Sequence, residues 1–522
     1  MLGINASGGQ SACLIGGDGR TVATSEPQRG GAMASATGRL PARAITACLD
    51  SLGVAARHLD LVVLCGGAPV AVDAASPLTG AIRARVHTID EELALACGAF
   101  YPSGFEHAAV LVVGRASTAS HGAVRATGYR ACGGPPVRVS ATGDRGADGG
   151  PTGPLGAICE LVGAALDGFD LASLLDLAAR GTGAGCALTG RPAAAELFPG
   201  LMAQRAARRH GVPAGACADE AWVVRELLER LTTQLARELV QHTGARKLCV
   251  AGDAAVHGLA RLDPRGHRWV DQLYAPPAPG EVGAAVGAAL FGWCELIGEP
   301  PPCELEGAFR GRPYGDADVV AALASHGVTD RTREGSPDRV LDDIAELLAS
   351  GALVAWFDGG AELGEPLDGR CVLAGAGDVA LAPRFGARLE RAAFRAPTAV
   401  VLVEDAEDYF ELIGPSPFAH RVAAVTRDRT REIPLVVRGD GTCRVHTIDA
   451  WRAPRLHDLL TRYRRRTGRS VLASAPLGRV GAWTVDSPRD ALRQWDRAGL
   501  DAIFLEGHLV VRHDRPGSDD ES

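Results

Sequence analysis

One pattern recurs near both ends of the first 300 residues: a short apolar strand, a glycine turn, then a helix of small residues. It is plainest in KLCVAG (residues 247–252) and PPAPGEVGAAVGAALFGW (276–293), where a Pro-Gly loop opens an Ala/Gly-rich helix. The strand LDLVVLCGG (59–67) runs into glycines in the same way. A pattern of this kind constrains the chain to an α/β fold with two similar halves facing one cleft, their glycine turns aimed at a phosphate.

The rest of the first half fits that frame. GINASGGQSACLI and TVATS are apolar-rich runs joined by Gly-Gly-Asp-Gly, which predicts a β-hairpin. RLPARAITACLDSLGV has helical spacing up to a glycine, and AAVLVVG (108–114) is a buried strand. DEAWVVRELLERLTTQLARELVQHTG repeats apolar residues at i, i+3 and i+4 and ends on glycine, so a long helix is expected there. Residues 296–338 are rich in Pro, Gly, Arg and Asp and read as a linker. From Pro337 to about residue 513, strands and helices alternate again. The expected organisation is therefore a domain over 1–335 with a linker from about 296, a second α/β domain over 336–513, and a polar, disordered tail at 514–522.

Bulk properties exclude several classes. A chain of 522 residues with 46% hydrophobic and 22% charged residues has the make-up of a soluble multi-domain protein. Its net charge of -8 argues against nucleic acid as a partner. No apolar run approaches a membrane span, and the N-terminus has no signal-peptide pattern, so a cytoplasmic location is expected. The 13 cysteines form no CxxC pair and mostly sit singly in apolar runs, as buried reduced thiols do. His107, His121 and His446 are isolated. The RYRRR run at 462–466 closes a helix, where basic residues suit the dipole, and reads as a solvated face.

Several segments together resemble the O-carbamoyltransferase family of nodulation-factor and antibiotic carbamate synthesis. YFELIGPSPF, PLVVRGDGTCRV, a helix ending RTG, TVDSPRDAL and GLDAIFL occur in that family's order in the second half. GINAS, AFYPSGFEHAAVLVV, Ala251-Gly252 and PPAPGEVGAAVGAAL do so in the first. The resemblance implies an actin-like duplicated N-terminal domain, similar to that of tRNA threonylcarbamoyl-transfer enzymes, followed by an α/β domain of the carbamoyl-adenylate type. It also implies iron, ATP and carbamoyl phosphate as the family's cofactors and substrates.

The positions that would carry that chemistry are altered. Where the family has metal-binding histidines, this chain has Glu91 and Leu95; Gly114 and Glu281 stand for two further aspartate ligands. Glu91 and Glu92 remain as candidates for a rebuilt site, and Glu281 for a hard-ion ligand. Gly8 and Gly9 replace the family's His-Asp pair, and the acidic motif after the hairpin is Glu26-Pro27-Gln28. Leu171-Ala172-Ser173 replaces EGK, and the AGGVALN turn reads AGDAAVH, which puts Asp253 where a phosphate would lie. In the second domain Pro366 and Ala473 to Leu477 replace an arginine and the NTSFN turn. Gly252, Arg370, Arg395, Asp440, Thr442 and Arg444 are retained as cofactor-binding candidates, although Gly-Asp-Gly-Thr is also a common hairpin turn.

Fold-building residues are kept while polar site residues are lost. That sorting points to a catalytically degenerate scaffold, with no cofactor expected. An active carbamoyltransferase relative or a pathway enzyme is the expected partner, with an oligomer left open. The alternative is a transferase with a rebuilt site using Glu91, Glu92, Glu281 and Arg444. A third reading, an actin-like ATPase, suffers from the spoiled phosphate turns.

Overall fold

The computed structural model describes residues 1–6, 10–26, 40–66, 84–115, 124–142, 159, 161–162, 165, 171–182, 198–206, 215–262, 268–302, 311–328, 332–333, 337–364, 367–389, 395–478 and 485–512. Gly8, Gly9, Pro27, Gln28, His121, Pro366 and the tail 514–522, all singled out in the sequence, lie outside them.

The expected duplication is present strand for strand. The first sheet contains β1 (Leu2–Asn5), β2 (Ser11–Ile15), β3 (Thr21–Ser25), β4 (Leu61–Cys65) and β5 (Arg85–Ile89), in the order β3-β2-β1-β4-β5. The second contains β6 (His107–Arg115), β7 (Val124–Cys132), β8 (Val137–Thr142), β9 (Lys247–Ala251) and β10 (Gln272–Tyr274), in the order β8-β7-β6-β9-β10. In each, the first three strands form an antiparallel meander and the last two add in parallel beside the first. The two halves share one topology, that of an actin-like duplicated domain. One detail differs from expectation: GINASGGQSACLI is not a single arm of a hairpin but β1 and β2, paired antiparallel.

Each sheet is followed by a helix, Glu91–Phe100 after the first and Ala284–Phe291 after the second. The second helix is wedged between the first helix and β1. A methyl group added at Gly287 would fall 1.7 Å from the Ala94 carbonyl oxygen, and one at Gly3 would fall 2.2 Å from that of Ala285. Residues 284–290 are all buried. The sequence AAVGAAL is thus dictated by space: backbones in contact at this distance leave no room for a Cβ at these points. The long helix, Ala218–Thr243, ends as predicted, with Gly244 at φ 70° and its N–H donating to Val240 O (2.9 Å). Leu228, Leu231, Leu235 and Leu239 form its buried stripe, each Leu stabilising by about 1.5–3 kcal/mol.

The third sheet has nine strands: β11 (Thr332–Arg333), β12 (Val354–Phe357), β13 (Arg370–Gly375), β14 (Thr398–Leu402), β15 (Arg421–Ala424), β16 (Thr442–Ile448), β17 (Val471–Pro476), β18 (Ala502–Leu505) and β19 (His508–Val511). Their order is β11-β19-β18-β12-β13-β17-β14-β16-β15. Both faces are covered, so the strands read as continuous apolar runs. Ala355, Phe357, Val372 and Ala374 enter one core; Val354, Trp356, Cys371 and Leu373 enter the other. Trp356 stacks on Phe504 with ring centroids 4.3 Å apart. The helices Pro337–Ala349 and Pro454–Thr467 cover the second face, and Arg462 of the basic run ties them through Asp338 (2.6 Å) and Asp342 (2.9 Å). The supposed linker contains the helix Asp316–Ser325, whose Val319, Ala322 and Leu323 join the core of the third sheet. Its short length and many flanking turn residues hide its periodicity.

Gly287→Val is expected to destabilise the chain by about 3 kcal/mol or more, because the clash is with backbone rather than with a movable side chain. Gly114→Ala, where an added methyl meets nothing within 4 Å, should stay within about 0.5 kcal/mol. Urea denaturation of both variants checks this; equal midpoints would contradict the packing argument.

Candidate functional site

The first domain places its candidate carboxylates in different surroundings. Asp90 caps the helix Glu91–Phe100 by accepting from Leu93 N (2.7 Å), which sets Glu91 and Glu92 in its first turn. Glu92 is held on β7, paired with Arg125 (3.0 Å) and accepting from Thr127 Oγ1 (3.1 Å). Glu281 opens the turn before the wedged helix, and its carbonyl accepts from Asn5 Nδ2 (2.6 Å). Burial drives the Cys65 thiol well above its usual range, and the charges of Glu91, Asp90 and Glu281 drive it further. Glu91 and Glu281 are therefore brought to the same end of β4, whereas Glu92 is committed to its neighbour strand. Leu95 lies in the core and Gly114 offers no ligand atom. Among the described residues no group of three His, Cys, Asp or Glu side chains could hold a metal ion. The donor set does not fit an iron centre.

The glycine turn is filled by the chain itself. Gly252, at φ 84°, packs so tightly on β6 that a Cβ would lie 2.0 Å from Val113 O, and its N–H donates to Pro279 O (2.6 Å). The Asp253 carboxylate lies against Gly280, where an added methyl would meet Oδ1 at 2.5 Å. Glu26 caps another helix by accepting from Arg43 N (2.7 Å) and Ala44 N (3.2 Å).

The retained polar residues of the second domain serve its loops and the seam between domains. Arg370 is fully buried. Its Nη1 donates to Gly369 O (2.7 Å) and Asp358 O (3.0 Å), its Nη2 to Gly359 O (2.7 Å), and its guanidinium lies 3.4 Å from the centre of the Phe357 ring. Buried Glu362 closes the same loop by accepting from Asp368 N (2.9 Å) and Gly369 N (2.6 Å). Arg444 donates from Nε to Ala419 O (2.6 Å), holding a loop whose His420 meets Pro276 O of the first domain (2.8 Å). Arg395 lies 3.7 Å from Asp176 of the first domain. Asp440 accepts from Thr442 Oγ1 (2.7 Å) and N (3.2 Å) and pairs across the seam with Arg261 (2.8 Å) and Arg225 (3.1 Å). Burial works to raise its pKa, but the hydrogen bonds from Thr442 and Arg261 and the Arg261 charge prevail and hold it below the usual range. The Gly-Asp-Gly-Thr segment is a tight turn, with Gly441 N donating to Arg438 O (3.0 Å) and Arg438 N to Thr442 O (2.8 Å).

A second cluster was missed in the sequence. β12 and β18 are parallel neighbours, and an acid follows each at its carboxyl end, Asp358 and Glu506. That is where α/β sheets present ligand-facing groups. Arg455 bridges the two, pairing with Asp358 and with Glu506 (2.9 Å). Burial raises the Glu506 pKa, and the Asp358 charge raises it further. Asp486, also raised by burial, accepts from the Tyr314 hydroxyl (3.4 Å). The repeated motif of an apolar strand followed by an acid, WFD and FLE, was the available signal.

Asp440→Asn should lower stability at pH 7 by about 1.5–3 kcal/mol, since it weakens charge-assisted bonds on which two arginines rely. A carboxylate with a depressed folded pKa stabilises above its unfolded value, near 4, and loses that contribution as pH falls through the folded value. The gap between wild type and variant should therefore narrow below about pH 4. Denaturation curves over pH 3–8 check it, and a gap that widens in acid would contradict the assignment.

Comparison with known proteins finds similar sequences over part of this chain. Residues 345–512 match the family model described as carbamoyltransferase C-terminus. An uncharacterised protein of Synechocystis is 26% identical, covering 57% of this chain and 53% of its own. Nodulation protein NolO of Bradyrhizobium diazoefficiens is 28% identical, covering 61% and 59%. These alignments are longer than residues 345–512, so they extend into the rest of the chain. The chain spans about half the length of the curated relatives it matches. Among solved structures, component A of the (R)-2-hydroxyglutaryl-CoA dehydratase of Acidaminococcus fermentans is 14% identical, covering 56% of this chain and 96% of that one, with a TM-score of 0.32. Residues 345–512 are thus similar to the carbamoyltransferase C-terminus, and more than half of the chain is similar to nodulation proteins such as NolO.

Proposed function

We propose that this chain is a catalytically degenerate carbamoyltransferase-family protein that serves as a partner or scaffold in a biosynthetic pathway. One observation carries the reading: positions that would hold ligands are taken up by the fold's own contacts. Arg370 is spent on backbone carbonyls, Asp253 fills the glycine turn, and Leu95 and Leu477 are core residues. Carbamoyl transfer to an alcohol needs a base for the hydroxyl proton, positive charge near the carbamoyl oxygen and fixed donors for phosphate. Replacing each by an apolar or self-paired group removes several terms at once, and each lost donor typically costs about 2–4 kcal/mol of barrier. What selection has kept is the frame, and a frame kept without its chemistry acts through its surface. An active relative of similar fold is the fitting partner, because it could reuse a family interface. Among the described residues no helix is long and apolar enough to cross a membrane, and the expected setting is the cytoplasm.

The rival reading is a transferase with a rebuilt site acting on a hydroxyl or amine. It draws on the approach of Glu91 and Glu281 to the end of β4 and on the Asp358–Arg455–Glu506 cluster.

Protein purified anaerobically is expected to hold no stoichiometric iron and to catalyse no carbamoyl-phosphate-dependent ATP–pyrophosphate exchange above a protein-free control. Metal analysis and the exchange assay check both, and exchange above background would favour the rival. Co-expressed with carbamoyltransferases of the same gene neighbourhood, the chain is expected to co-elute with one and change its stability or rate. Absence of co-elution together with turnover by the chain alone would replace the scaffold reading.

A further inference from the structure

Two local costs meet where β12 and β18 end. Phe357 and Leu505 are register partners on these parallel strands, so the acids that follow them, Asp358 and Glu506, stand side by side. Like charges so placed repel. Glu506 also takes a left-handed backbone, φ 47°, which among the described non-glycine residues only Ala419 shares. Its side chain is 11% exposed, and its Oε1 is buried and forms no hydrogen bond of normal geometry. One nitrogen, Nη1 of the half-exposed Arg455, serves both carboxylates. From β13, Arg370 lies within electrostatic reach of Glu506, as of Glu362, Asp486 and Tyr314. His508 of the same hairpin turns instead to Asp316 (2.6 Å). Burial and then the Asp358 charge raise the Glu506 pKa, and Arg455 and the Gly359 N–H only partly offset them. Strained and repelling groups persist only where their surroundings hold them. Asp358 is also the root of a loop that leaves the second domain. Gly359 (φ 65°) and Gly364 (φ 97°) bracket it. Between them Leu363, 3% exposed, packs in the core of the first domain. A methyl added at Gly364 would meet Ala278 Cβ at 3.6 Å. Ala278 belongs to the Pro-Gly loop that carries Glu281, receives the Gly252 N–H at Pro279 O and meets Asp253 at Gly280. Residues 358–364 thus run from the carboxyl pair of one domain to the glycine turn of the other.

We propose that residues 358–364 are a proton-sensitive strap between the domains, with Asp358, Glu506 and Arg455 as its latch. With Glu506 protonated, Arg455 answers a single carboxylate and the latch is tight. Loss of that proton leaves two carboxylates on one nitrogen, and the root of the strap loosens. Leu363 carries the change to the loop 276–283. A carboxyl with a raised folded pKa favours the latched state as pH falls through that value and opposes it above. The two bracketing glycines let the strap give without unfolding either sheet. Such a strap serves a scaffold and a transferase alike, since it sets the same loop in both.

The test is hydrogen exchange of the full chain, read by mass spectrometry between about pH 4 and 8 and corrected for the intrinsic rate. In wild type, protection of 358–364 and of 280–283 should fall together as pH rises, with a midpoint above the ordinary glutamate value of about 4.3. Glu506→Gln should keep both segments protected throughout. Asp358→Asn should move the midpoint down, because the like charge is gone. Leu363→Ala should preserve the response at 358–364 and lose it at 280–283, and Leu363→Met, which refills the site, should keep both. The proposal is overturned if protection at 358–364 is flat with pH in wild type, or if the response persists in Glu506→Gln. It is equally overturned if Asp358→Asn leaves the midpoint in place, or if 280–283 responds in Leu363→Ala as it does in wild type.

Discussion

The contact of bare backbone with bare backbone around the helix Ala284–Phe291 is the constraint on which the first domain depends. Gly3 of β1 and Gly287 of the helix leave no room for side chains where they meet Ala285 and Ala94. This packing joins the two halves, since β1 belongs to the first sheet and the helix follows the last strand of the second. It also fixes the loop before the helix, which Asn5 and Ser11 hold by donating to the carbonyls of Glu281 (2.6 Å) and Val282 (2.7 Å). A cleft between such halves is a geometric consequence of the duplication, whatever residues line it.

Charge does for the pair of domains what small residues do within the first. Asp440 reaches Arg225 and Arg261, and Asp176 reaches Arg438, so each domain offers a carboxylate to arginines of the other. Partly buried pairs of this kind are expensive to break, because removing one partner leaves the other desolvated. Gly-Asp-Gly-Thr shows how a motif read as a cofactor site can serve the fold: the turn aims Asp440 across the seam, and Thr442 steadies the carboxylate from behind. Arg370 makes the same point inside the second domain, where four backbone carbonyls surround its buried guanidinium.

Acids occupy three places of interest, and their environments differ. Glu92 is neutralised on β7, Asp253 lies against Gly280, and Glu506 sits beside Asp358 with Arg455 as a shared counter-ion. The last is the one where burial and a like charge act together on a carboxyl at the carboxyl end of parallel strands. A degenerate site and a rebuilt one are therefore read from different side chains: the first from Leu95, Arg370 and Asp253, the second from Glu91, Glu281 and Glu506, although Glu91 shares its helix with Leu95 and Glu281 follows the Gly280 that Asp253 touches.

Periodicity and glycine placement were enough to show two α/β halves, the long helix up to Gly244, the strands around Val110, Val250, Val354 and Phe504, and the class of fold. These are local properties, set by which side chains can face a core at periods of 2 and 3.6 residues. The strand β13 and the helix Asp316–Ser325 escaped notice because one followed a stretch read as a ligand loop and the other lay among turn residues. The family resemblance, too, was legible in the order of short motifs. What the sequence could not decide was where each retained polar side chain would point. Arg395, Asp440 and Arg444 were expected at a cofactor site, yet their partners are Asp176, Arg261 and the Ala419 carbonyl, hundreds of residues or one loop away. Only the docking of two domains brings Arg395 to Asp176 and Asp440 to Arg261, and only the folding of the second domain brings Arg444 to Ala419, because such contacts are fixed by distance in space and not by position along the chain.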